Sequence, residues 1–102
     1  MFRAKDQVDN QHWLDELELV ADQLEVNDTA RRRAIDLFLS TTPDHERSKR
    51  AAVAASLYAG CLIEGDQRSQ TVVANAVGVN RITVQKRWKE LINTAGLDEP
   101  NW

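Results

Sequence analysis

Cysteine is almost absent from this 102-residue chain: Cys61 stands alone. That excludes an intrachain disulfide and a cysteine-based zinc site, and it fits a reducing setting, so a cytoplasmic location is expected. Histidine is nearly as scarce. His12 and His45 lie apart, with no second ligand at metal spacing, and no metal or other cofactor is expected. Glycine is limited to four residues, and Gly78 stands alone rather than in a phosphate-cradling run. No basic-then-apolar leader opens the chain, so no secretory signal is expected and the Asn27–Thr29 sequon carries no weight. The longest apolar run, Ala51 to Ile63, is interrupted by Ser56 and falls short of the about 20 residues that span a bilayer. With no nucleophile placed beside a base, an enzyme is not expected.

What is present is ordinary in bulk and uneven in distribution. Apolar residues make up 42% and charged residues 28%, as in a soluble globular protein. The length suits one domain, assigned to residues 11–96 between a lead-in over 1–10 and a tail over 97–102. The net charge is −3. Residues 1–30 hold two basic and eight acidic side chains, a net of −6, whereas residues 67–92 hold five basic and one acidic, a net of +4. Such polarity would orient a basic face toward a polyanion and repel the rest, and would equally follow from a generally acidic, salt-adapted proteome.

Helical periodicity recurs along the chain, with no strand pattern, internal repeat or low-complexity tract. Gln11–Val26 places Trp13, Leu17, Val20, Ala21 and Leu24 on one stripe, with Asp15, Glu16, Glu18 and Asp22 away from it. Asn27 or Asp28 caps a second helix running to about Ser40, with Ala30, Ala34, Leu37 and Phe38 inward and Ile35 flanking. Arg31, Arg32 and Arg33 fan over about 200° of its surface and are expected to pair locally with Asp28 and Asp36. The third helix, Ser48 to Glu64, is apolar nearly all round and must be enclosed by its neighbours. Its alanines and Gly60 permit close approach, while Cys61 serves as a small buried hydrophobe.

The stretch from Gln70 to Leu91 reads as a short helix, a tight turn and a longer helix. Ser69 caps the first helix, Ala74 sits where the two cross, and Gly78 supplies the positive φ that a helix end often needs. Val73, Val77, Val79, Val84 and Trp88 face inward; Leu91, Ile92 and Ala95 join them before Gly96 ends the helix. Gln70, Thr71, Asn80, Arg81, Thr83, Gln85, Lys86 and Lys89 are left to face out. Arg and Lys suit guanine edges and phosphates, Gln and Asn suit adenine edges, and Thr suits phosphate or a thymine methyl. These eight residues form the candidate DNA-binding surface. Two short helices around a glycine turn also occur in any helical domain, so a protein-docking module that binds no DNA is the alternative.

An all-α fold of five helices, with a buried alanine-rich centre and a carboxy-terminal helix-turn-helix, is similar to one cyclin-like repeat. Arg47 to Leu91 resembles the second cyclin repeat of the archaeal general transcription factor IIB. The likeness rests on Ala54–Leu62, on the helix start at Thr71, and on Ile82–Leu91. It implies a helix-turn-helix that reads promoter DNA, with Gln70 and Thr71 near phosphates and Asn80, Arg81, Thr83, Gln85 and Lys86 at the major groove. It leaves Arg87 between an internal pair and a phosphate. It also implies a partner, a TATA-binding protein or another transcription factor, and leaves the oligomeric state open. The cysteines of the family's zinc ribbon and a second repeat are missing from this sequence. The resemblance therefore implies a stand-alone DNA-binding factor or accessory regulator rather than a complete initiation factor.

Overall fold

A computed structural model describes residues 10–41, 46–94 and 96. Among them are five helices: α1 Gln11–Gln23, α2 Asp28–Ser40, α3 Glu46–Ile63, α4 Gln70–Val77 and α5 Arg81–Thr94. The described residues are all-α, as expected, with α3 at the hub packed against each of the other four helices. Residues 51–62 of α3 are all buried, which is why this helix has no polar face. The small side chains do what their size allows. A Cβ built on Gly60 would lie 2.8 Å from the Ala34 amide nitrogen and 2.9 Å from the Ala30 carbonyl, so α2 and α3 touch backbone to backbone there. Among the described residues no helix is long and apolar enough to cross a membrane.

The ends of the helices explain the differences from the expected bounds. The first helix stops at Gln23 rather than Val26, because Glu25 adopts φ +56° and the Val26 N–H turns back to the Ala21 carbonyl at 2.9 Å. Leu24 is thus a half-buried cap residue, and Val26 and Leu14 join the core instead. Asn27, not Asp28, is the cap of α2: its side chain accepts from the Ala30 N–H at 2.8 Å. The third helix begins at Glu46, two residues before the expected Ser48, and ends at Ile63.

The arginine run does not pair within its own helix as expected. Arg31 reaches back to Asp22 of α1 at 2.6 Å, and Arg33 reaches forward to Glu64 at 2.8 Å. Long guanidinium stems follow the neighbouring helices rather than the local sequence. The expected lead-in before Asn10, the tail over 97–102, and the positions of His45, Ala95 and Trp102 lie outside the described residues.

Candidate nucleic-acid interface

The helix-turn-helix is built from local rules that hold as the sequence implies. Ser69 accepts from the Val72 N–H at 3.0 Å and starts α4. Gly78 ends it at φ +90°, with its own N–H and that of Val79 returning to the Ala74 carbonyl at 2.8 and 2.9 Å. Ala74 is buried where α4 crosses toward α5. Val73, Val77, Val84, Trp88, Leu91 and Ile92 are buried as expected, and Val79 is half-buried against the same core. Trp88 and Tyr58 of α3 pack in a T-shaped arrangement, with ring centroids 5.5 Å apart at 65°. This contact fixes the roll of α5 about its axis and hence which side chains point outward.

Thr71, Asn80, Arg81, Gln85, Lys86 and Lys89 are exposed, while Gln70 and Thr83 are half-buried. Around α5, residues 82, 85, 86 and 89 share an arc of about 100°. Ile82, which is not among the eight expected residues, therefore belongs to this face: it is 49% exposed. Its signal was its spacing, since two residues from buried Val84 is about 200° round the helix. Val72 is a second exposed apolar side chain on the same helix pair.

Several of the polar groups are tied to one another. Asn80, just ahead of α5, accepts from the Ile82 N–H through Oδ1 at 2.9 Å. Arg81 Nη1 donates to Gln85 Oε1 at 3.2 Å and to Gln70 Oε1 at 3.4 Å, bridging the two helices. Lys89 Nζ lies 5.7 Å from the centre of the Trp88 ring, within cation–π reach. Arg87 is half-buried beside a hollow of about 70 Å³ that Thr41, Glu90 and Leu91 also line.

Arg68 departs from the expected charge pattern. It counts toward the basic total of the segment, yet its guanidinium points away from the outward arc. It donates to the Leu24 carbonyl at 3.1 and 3.2 Å, to the Glu25 carbonyl at 3.2 Å and to Asp66 Oδ1 at 2.7 Å. Asp66 in turn accepts from the Asn27 N–H at 2.8 Å. That amide, and then Arg68, hold the Asp66 carboxyl below its usual 3.8. The outward charge of the helix pair therefore comes from Arg81, Lys86 and Lys89, and no acidic residue lies between Ser69 and Lys89.

The rest of the described residues offer little reactive chemistry. Burial, followed by the nearby Asp66 charge, pushes the Cys61 thiol up to about 11, so it stays protonated at neutral pH. Among the described residues no group of three His, Cys, Asp or Glu is placed to hold a metal ion.

Comparison with known proteins places this arrangement among described families. The family described as "Transcription factor TFIIB repeat" matches residues 7–94. The transcription initiation factor IIB of Pyrococcus abyssi is 36% identical over 83 residues, covering 78% of this chain and 28% of the relative. Transcription initiation factor IIB 1 of Thermococcus kodakarensis has the same identity and coverage. That of Pyrobaculum arsenaticum is 31% identical over 91 residues, covering 79% of this chain and 25% of the relative. The chain thus spans little more than a quarter of the length of these relatives.

Proposed function

The chain belongs to the family of transcription factor TFIIB repeats, and from that premise we propose that it is a DNA-binding transcription factor or accessory regulator of initiation. It reads promoter duplex through α4 and α5. One observation carries this reading. The outward arc of α5 is cationic and amide-bearing, with Gln85, Lys86 and Lys89 exposed on it, exposed Arg81 about 40° beyond one edge and exposed Glu90 about 40° beyond the other. The second helix of such a pair enters the major groove, where arginine and amides address base edges and lysines address phosphates. Exposed Ile82 adds an apolar contact of the kind that suits a thymine methyl. Gln70 and Thr71, at the start of α4, lie toward the backbone of the duplex, and Asn80 and Thr83 flank the groove.

A single module buries only about 600–1,000 Å² on DNA. Selective binding then draws on a second protein, and a TATA-binding protein is the partner the family reading favours.

Gel-shift titrations on promoter fragments over a salt series test the proposal. Three exposed cations give a slope of log affinity on log salt of about −2 to −3. Lys86→Ala and Lys89→Ala should each weaken binding on every sequence and make that slope shallower by about 1. Binding untouched by Arg81→Ala and Lys86→Ala would remove this face from the interface.

A docking role without DNA is the second reading, and α1 favours it. Leu19 is 53% exposed amid Asp15, Glu16 and Asp22, an apolar spot on an acidic face. Amide shifts on adding duplex separate the two: movement over residues 70–89 supports DNA reading, and no movement there supports docking.

A further inference from the structure

Among the described residues three large apolar side chains stand exposed: Leu19 on α1, Val72 on α4 and Ile82 on α5. A lone exposed leucine is ordinary. What sets Leu19 and Ile82 apart is the charge beside them. Around the axis of α1, Leu19 lies about 40° from Asp15 and about 60° from Glu16, with Glu18 the preceding residue. Asp22 of the same helix is paired with Arg31, whereas Asp15, Glu16 and Glu18 have no cationic partner among the described residues. Around α5, Ile82 lies about 20° from Lys89 and about 40° from Lys86. Neither lysine is paired with a carboxylate among the described residues.

The two surfaces are therefore complementary. One is an apolar spot among unpaired carboxylates, the other an apolar spot among unpaired ammonium groups. They cannot meet within one molecule, because α1 and α5 both turn their buried stripes toward the core around α3 and their exposed arcs away from it. They can meet between molecules, and every copy of the chain carries both halves.

We propose that a second copy of this chain seats its α1 on the α4–α5 face. Leu19 packs against Ile82, and Asp15 and Glu18 oppose Lys86 and Lys89. The surfaces differ, so the copies join head to tail rather than like to like. The contact is small and steered by charge, which places it in the weak, transient class. It also covers the cations assigned to DNA. On the duplex-binding reading above, on which this consequence rests, an acidic helix stands in for the polyanion, and the protein shields its own interface when concentrated.

Sedimentation equilibrium of the full chain, up to about 1 mM protein, tests the contact. At about 0.01 M salt the average mass should rise with concentration, and at about 1 M salt it should stay that of a single copy. Asp15→Lys with Glu18→Lys reverses α1, and Lys86→Glu with Lys89→Glu reverses α5. Each double variant alone should self-associate at least about tenfold more weakly than the parent. Mixed in equal amounts, the two should associate again, since each then offers the other a matched surface. Excess short promoter duplex should return the parent to single copies on DNA. Circular dichroism confirms that each variant is folded. A parent that stays a single copy at low salt overturns the proposal, as does association that either reversal leaves intact or that mixing does not restore. Joined copies that take up duplex without separating overturn the shielding. Self-association retained by a protein that binds no duplex overturns the DNA reading alone, which separates the two failures.

Discussion

Gly60 shows how much one missing methyl group can decide. In an isolated helix alanine is favoured over glycine by about 1 kcal/mol, so Gly60→Ala would stabilise α3 if nothing else were near. Here the new Cβ would meet Ala34 N at 2.8 Å and Ala30 O at 2.9 Å, both backbone atoms that cannot swing aside. The clash should outweigh propensity and destabilise the protein by about 1–3 kcal/mol. Urea unfolding checks this, and a Gly60→Ala variant as stable as the parent would mean that α2 and α3 separate easily. The composition of the third helix already pointed to close approach, but not to which small residue makes it. That depends on the rotation of α2 against α3, which no local pattern encodes. Gly78 was the opposite case. Its left-handed φ follows from its place after a short amphipathic stretch, and the structure puts it there.

Among the elements, the turns depend most on contacts that local sequence does not encode. Helix existence, the Ser69 cap and the inward residues of α4 and α5 follow from periodicity and capping chemistry. The end of α1 does not, because a glutamate rather than a glycine takes the left-handed position. Nor does the linkage of the α1–α2 turn to the α3–α4 turn, since Arg68 and Asn27 are 41 positions apart in sequence and meet only through Asp66. That linkage has a pH signature. The folded carboxyl of Asp66 lies below its usual 3.8, held down by the Asn27 amide and Arg68. Its contribution to stability is therefore present above the unfolded value and is lost as pH falls through the folded one. Between pH 5 and pH 2, about the range of an ordinary carboxylate titration, the parent should lose more stability than Asp66→Asn. Parallel losses in the two proteins would show that the link carries no proton-coupled stability.

Over the whole molecule the charge is divided between helices of one core, with α1 acidic and the outward face of α5 cationic. The acidic residues of α1 and the cations of α5 were legible as a sequence gradient, and only the true size of the positive face was not. Arg68 is turned inward, so the face that would meet a duplex holds less charge than the segment total implies. In the proposed role the acidic side chains of α1 oppose the approach of a polyanion to that helix. Replacing exposed Glu18 and half-buried Glu16 by glutamine should then speed association with duplex DNA by about twofold at low salt, with the gain screened away toward 1 M. Stopped-flow binding measures it, and equal rates at low salt would show that these side chains have no steering effect.

Arg50 of α3 donates to the carbonyl of Val77, the last residue of α4, at 3.1 Å while its guanidinium lies 5.3 Å from the centre of the Trp13 ring in α1. The α4–α5 pair is therefore finished by a group it does not own. Excised as a peptide, residues 69–94 would lose that carbonyl's partner together with the Tyr58 ring packed against Trp88. Transplanting this unit onto another scaffold would carry over its letters but not its posture.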